Sequence, residues 1–187
     1  MDAITALTER VSVPKLREPG PSAEQWRVLL GAALRAADHG QLRPWRFLTV
    51  EGDARADLGK LYCESVLKDT PDLPETFQQK LINMPLRAPA LLLVVACCQA
   101  HSKVPEVEQV VSAGAAAQNV VNAAFALGLG AMWRTGDMAY NTHVLKGLGL
   151  EEGEKLIGYV YLGTPAATKS LPPMPSVEEI CQSWSGQ

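Results

Sequence analysis

"APALLLVVACC", residues 88–98, is the stretch that decides the fold. Behind Pro89 it runs from Ala90 to Cys98 without a charged side chain. A short apolar run of this kind, following a proline, reads as a strand covered on both faces at the centre of a sheet. The neighbouring segments must then supply the cover. On the C-terminal side, "EVEQVVSAGAAAQNVVNAAFALGLG", residues 106–130, has the length of a membrane span, for which about 20 apolar residues suffice. Gln118, Asn119, Asn122 and the many alanines argue instead for a central helix in a globular protein. Its small residues Ser112, Ala113, Gly114, Ala116 and Ala117 permit close approach of another helix or a flat ligand.

On the N-terminal side, "PSAEQWRVLLGAALRAAD", residues 21–38, carries a Ser22/Gln25 capping-box pattern and one apolar stripe of Trp26, Leu29, Leu30, Ala33, Leu34 and Ala37. Pro44 pushes Arg43 out of helical geometry, and "WRFLTVE", residues 45–51, reads as a strand of aromatic and β-branched residues. Residues 55–68 and 75–82 have helical character on either side of the proline-rich "TPDLP". Ile4, Leu7 and Val11 share helical spacing and predict a short amphipathic helix at the start of the chain. "GAMWRTG", from Gly130, and "KLIGYVYLGTP", from Lys155, read as further strands, with a helix around residues 139–148 between them. The closing "KSLPPMPSVEEICQSW" has too many prolines for a core element and is expected to form an arm across a partner subunit. Helices alternating irregularly with about four strands give an α+β or α/β layer fold, in one domain and without internal repeats.

A chain of 187 residues, 47% hydrophobic and 20% charged, can bury a sizeable core as a single domain. Its net charge of −3 and the absence of a Lys/Arg run give no electrostatic footprint for nucleic acid or an anionic membrane. The N-terminus lacks the apolar core of a secretory signal, so a cytoplasmic location is expected. Cys63, Cys97, Cys98 and Cys181 form no CxxC pair and the histidines lie far apart, so neither a metal site nor a disulfide framework is expected. Adjacent Cys97 and Cys98 read as small buried hydrophobes.

Several kinds of chemistry have no support. "GLG" at residues 128–130 runs into Ala131, Met132 and Trp133, so the dinucleotide-binding fingerprint fails, and "GK" at residues 59–60 lacks phosphate-loop spacing. No GxSxG elbow or HExxH pair occurs. What remains is a set of arginine-bearing segments at element boundaries: "ERVSVPK" with Arg10, Ser12 and Lys15, "LRAADH" with Arg35 and His39, and "MWRTG" with Trp133, Arg134 and Thr135. The arginine fork matches phosphate bidentately and a nearby hydroxyl adds a hydrogen bond, so these segments could hold a phosphorylated ligand.

Their order carries a resemblance. Arg-x-Ser after the first helix, "RA-x-DH", "PWRF" leading into a strand, "RAP" before the apolar strand, "E-x-E-Q-x-x-SAG" opening the long helix, "WR-[ST]-G" and a closing "YLGTP" occur in sequence. This order resembles the small NAD(P)H nitroreductases of the YdjA type, within the FMN-dependent nitroreductase family, from Met1 to about Pro165. The resemblance implies a nitroreductase-like three-layer α+β sandwich with a central, mainly antiparallel sheet flanked by helices. It implies an intertwined homodimer whose single FMN-binding domain spans residues 1–187, with the arm over residues 166–187.

It further implies flavin contacts at Arg10, Val11 and Ser12 and at Trp133, Arg134 and Thr135. Arg35 and His39 would reach the flavin held mainly by the other subunit. Residues 123–128 match the segment contacting the nicotinamide cofactor. The implied reaction is hydride transfer from NADH or NADPH to the flavin, and then, in ping-pong fashion, to a nitroaromatic, quinone or similar acceptor. Arg10 or Lys15 would stand near the pyrimidine edge of the ring. Alternatives are a non-enzymatic FMN-binding or flavin-sequestering protein, thiol redox chemistry at Cys97 and Cys98, and a flavin-dependent dehydrogenase or dehalogenase. The chain departs from the family pattern at Val11, where a second basic residue is usual, and at Arg43, where Gln is frequent.

Overall fold

The structure, a computed structural model, describes residues 1–167 and 170–186. The expected central strand forms as β3, Ala90–Cys97, and every residue from Ala90 to Ala96 is fully buried. Alternation along β3 divides two cores. Ala90, Leu92 and Val94 pack with helices α2, Ala23–Ala33, and α5, Glu106–Ala126. Leu91, Leu93 and Val95 pack with α3, Ala54–Asp69, and α6, Thr142–Gly147. Coverage on both faces explains the continuous apolar run.

β3 pairs on one side with β2, Trp45–Glu51, and on the other with β5, Glu154–Pro165. The long β5 also pairs with β4, Gly130–Arg134, and with the two-residue β1, Leu16–Arg17. All of these pairings are antiparallel. With helices on both faces, this is an α+β three-layer sandwich.

Helix α2 starts where the sequence places it: Gln25 N donates to Ser22 Oγ at 3.2 Å, and Ser22 N donates to Gln25 Oε1 at 2.9 Å. It ends earlier than its apolar stripe. The last helical residue is Ala33, and Asn119 of α5 donates to the Ala32 carbonyl at 3.0 Å, satisfying an acceptor of the last turn. Arg35 therefore lies in a turn, and Leu34 is 59% exposed. At the chain start, α1 covers Ala3–Thr8, so Val11 falls outside it, and Ile4 and Leu7 face outward at 68% and 62% exposure.

The small residues of α5 pack within the chain's own core. Ser112, Ala113, Ala116 and Ala117 are buried, with Ala116 and Ala117 in the core shared with α2 and the sheet, whereas Val107 and Val111 are exposed. The expected helix over residues 139–148 divides in two, a 3-10 turn Asp137–Ala139 and α6, because the Asn141 carboxamide caps α6 by accepting from His143 N and Val144 N. Cys97 and Cys98 are half-buried rather than core residues. Among the described residues beyond Pro165, the chain forms one short helix, α7, Val177–Ile180, and Met174, Ile180 and Trp184 are exposed. Residues 168, 169 and 187 of the expected arm lie outside the described residues.

Candidate functional site

The "MWRTG" segment becomes the end of β4, and strand alternation sends its side chains to different faces. Trp133 turns toward α5, where its ring edge sits 4.0 Å from the position a Cβ on Gly114 would take. Its indole N–H donates to the Ile157 carbonyl at 3.3 Å. That acceptor is created by a β-bulge. Val94 pairs with Gly158 and Val95 with Leu156, which leaves Ile157 as the extra residue. Gly158 makes the approach possible, since a Cβ there would collide with the indole nitrogen and lie 2.7 Å from the Arg134 carbonyl oxygen.

Arg134 turns to the opposite face, with its guanidinium 5.7 Å from the Tyr161 ring centroid. A hollow of about 360 Å³ opens there, lined by Arg134, Thr135, Tyr161, Arg87, Met84 and Tyr62 among others, and bordered by Trp133. Such a volume falls at the low end of small-molecule pockets, roughly 300–1,000 Å³. Neither Arg87 nor Arg134 has a carboxylate partner among the described residues. Burial holds the Tyr161 phenol above its ordinary range, and the charges of Arg87 and Arg134 act in the opposite direction. Burial likewise raises Tyr62 and Tyr159. Tyr159 donates to the Met138 carbonyl at 3.0 Å, whereas the buried Tyr62 hydroxyl has no hydrogen-bond partner among the described residues. The hollow combines two available cations, phenols and soft apolar walls. This lining suits a small ligand that carries an anionic or electron-rich group.

The other site residues lie in different places. Arg10 donates to Ser12 Oγ at 3.5 Å. Val11 lines a mainly apolar hollow with Val13, Phe125, Gly128 and Leu129, so it stands beside the segment matched to the nicotinamide cofactor. That segment is the C-terminus of α5. Gly128, at φ +75°, closes the helix with Gly128 N donating to Phe125 O and Leu129 N to Ala124 O.

Arg35 lines a third hollow together with Asp38, Gln41, Arg43 and Trp45. His39 is held in its own protomer, its Nδ1 2.6 Å from Glu108 Oε2 on α5. The single chain therefore does not unite the expected contacts in one pocket. Arg10 and Lys15 are not among the residues lining the hollow under β4; its cations are Arg87 and Arg134. Arg87, Met84, Tyr62 and Tyr161 escaped the sequence reading as site residues. "RAP", at residues 87–89, was the available signal, since its arginine precedes the central strand.

Glu154, on β5, ties a separate cluster at the far end of that strand. Arg46 holds it with two hydrogen bonds, Nε at 2.7 Å and Nη2 at 2.6 Å, and Glu151 N adds a third at 2.9 Å. Chiefly through Arg46, its pKa is held down at about 2. The Cys97 thiol donates to Glu154 at 3.1 Å, and burial together with that carboxylate pushes the thiol up to about 11. Burial also raises the Cys98 thiol. Both thiols thus have environments opposite to those of reactive cysteines, which carry depressed pKa values. No group of residues suited to a metal ion occurs among the described residues.

The structure is thus a layered α+β sandwich with arginine-lined hollows beside its strand ends, of a size that suits small-molecule ligands. The chain matches the Nitroreductase family over residues 7–164, and it belongs to that family. YdjA of Escherichia coli, designated an NAD(P)H nitroreductase, is 38% identical over 165 residues, covering 88% of this chain and 89% of YdjA. The crystal structure of a nitroreductase-like family protein from Bacillus cereus superposes with a TM-score of 0.85 at 21% identity, covering 100% of this chain and 97% of that one. A variant of NfnB from Sphigopyxis sp., described as an FMN and NADPH-dependent nitroreductase, shares the fold with a TM-score of 0.76 at 18% identity, and each chain is covered in full at 100%. No described helix is long and apolar enough to cross a membrane.

Proposed function

We propose that this protein is an FMN-dependent oxidoreductase that takes hydride from NADH or NADPH and passes it to a nitroaromatic, quinone or similar small oxidised acceptor. The observation that carries the reading is the hollow under β4, where Arg87 and Arg134 face Tyr161 beside Thr135 and Gly136, without carboxylate partners among the described residues. YdjA and NfnB, by their designations, support the donor and the cofactor. Bound FMN would supply the hydride acceptance and donation, so donor and acceptor could occupy the same place in turn.

The chain's own residues then have the tasks of binding, orienting and tuning. Arg87 and Arg134 would offer donors and positive charge to the electron-rich edge of the ring. Trp133, fixed by the Ile157 carbonyl, sets the position of the Thr135–Gly136 backbone that borders the hollow. Arg10 and Ser12 would hold phosphate or ribityl oxygens, and Val11 contributes only its backbone and an apolar wall.

A cytoplasmic homodimer completes the proposal. Ile4 and Leu7 on α1, and Val107 and Val111 near the start of α5, are exposed at 62–68%, apolar side chains that a second copy would cover. The same association would bring Arg35 and His39 of one protomer to the flavin of the other, and would give the arm over residues 166–187 a surface to cross. The test is FMN titration of Arg87→Ala and Arg134→Ala, together with NAD(P)H oxidation by the wild type in the presence of a quinone. Weakened FMN binding in both variants, with steady turnover in the wild type, supports the reading. Tight FMN binding with no acceptor turnover identifies a flavin-sequestering protein instead, and unchanged FMN affinity in both variants removes the hollow from the account.

A further inference from the structure

The loop from Asp38 to Arg43 is built around one carboxylate. Asp38 accepts from Leu42 N through Oδ1 at 3.2 Å and from Arg43 N through Oδ2 at 2.7 Å. Those bonds support a backbone that L side chains seldom adopt, with Gln41 at φ +54° and Arg43 at φ +51° flanking Leu42. Backbone of this kind costs on the order of 1–3 kcal/mol per residue and persists where the surroundings over-determine it, as at ligand clamps. The loop is also tied to α5 by the His39–Glu108 contact at 2.6 Å.

The arrangement places Arg43 and Arg35 on the lining of one hollow of about 640 Å³, with Asp38, Gln41 and Trp45. Both carboxylate oxygens of Asp38 are engaged by the loop backbone, and neither arginine has an ion-pair partner among the described residues. Two guanidinium groups on the lining of one hollow, neither with an ion-pair partner among the described residues, supply the positive charge and hydrogen-bond donors that a phosphate group accepts.

We propose that Arg35 and Arg43 form a phosphate-monoester site, with Arg43 as its specificity-determining residue. Resting on the function proposed above, the phosphate has two possible sources: the 2′-phosphate that distinguishes NADPH from NADH, or the 5′-phosphate of an FMN held by the partner subunit. The site lies outside the hollow under β4, whose lining includes neither Arg35 nor Arg43.

The experiment compares wild type, Arg43→Gln and Arg43→Lys in three measurements. These are the ratio of kcat/KM for NADPH to that for NADH, the Kd of FMN against that of riboflavin, and calorimetric binding of adenosine 2′,5′-bisphosphate to flavin-free protein. Loss of a charged hydrogen-bond partner corresponds to about a 10–100-fold effect. A fall of that size in the NADPH/NADH ratio for Arg43→Gln, partly restored in Arg43→Lys, assigns the 2′-phosphate. A rise of that size in the FMN Kd, with riboflavin unaffected and the donor ratio intact, assigns the 5′-phosphate. If neither ratio moves and bisphosphate binding is the same in wild type and Arg43→Gln, the site is refuted. Should the protein bind no flavin and oxidise neither donor, the oxidoreductase reading fails, and the bisphosphate titration still decides the phosphate site.

Discussion

Replacing Gly158 by alanine tests whether the β-bulge positions the functional edge of the sheet. The added Cβ would collide with the Trp133 indole nitrogen and lie 2.8 Å from its Cδ1 and 2.7 Å from the Arg134 carbonyl oxygen. The last contact is with backbone, which cannot rotate away, and Gly158 has φ +151°. Overpacking costs typically about 1–3 kcal/mol, and a non-glycine residue in such a backbone region costs about as much again, giving a destabilisation of about 2–6 kcal/mol. Against a total stability of about 5–15 kcal/mol, urea unfolding resolves a change of that size. Comparison with Trp133→Ala and the double variant supplies the coupling. Part of the Gly158→Ala cost disappears once the indole is absent, so the double variant should be less destabilised than the two single effects added together. A Gly158→Ala protein with an unchanged midpoint, or strictly additive effects, would refute the reasoning.

Further outcomes follow from other parts of the molecule. Glu154 has a folded pKa of about 2, below its ordinary value of 4.5, so its contribution to stability is present above about pH 4.5 and is lost as pH falls toward 2. Urea midpoints of wild type and Glu154→Gln should therefore converge across that window, and a constant gap would contradict the assignment. Because the Cys97 thiol is pushed up to about 11 and Cys98 is raised as well, the double variant Cys97→Ser, Cys98→Ser should retain its NAD(P)H–quinone turnover; loss of turnover with the fold intact would restore thiol chemistry as a candidate. Ser22→Ala removes the α2 capping hydrogen bond and should cost about 1 kcal/mol in thermal or urea unfolding, whereas no measurable change would mean the cap is redundant.

Much of the fold was legible because local signals and tertiary demands agree. β3 reads correctly because both of its faces are covered, and α2 begins at Ser22 because its cap is made within four residues. Periodicity shows which residues are apolar but not whether anything covers them, and Ile4 and Leu7 lie outside the core. The end of α2 was hidden for a related reason, since Asn119, far away in sequence, adds a hydrogen bond to the Ala32 carbonyl of its last turn.

The candidate site was legible in part. Trp133, Arg134 and Thr135 marked a strand end that lines a hollow, but which face each side chain takes depends on where β4 meets the two cores. Arg87 was hidden because its partners in the hollow, Tyr161 and Arg134, come from strands distant in sequence. Gly158 gave a readable sign, a glycine inside an apolar strand, yet its use became visible only through the indole packed against it.

The measurement that tests the central claim most directly is the visible absorption spectrum of the purified, FMN-reconstituted protein before and after anaerobic addition of NADPH or NADH. The expected result is flavin bands that bleach with the donor and return when a quinone or nitroaromatic is added. A protein that takes up no FMN, or whose bound flavin neither donor reduces, would contradict it.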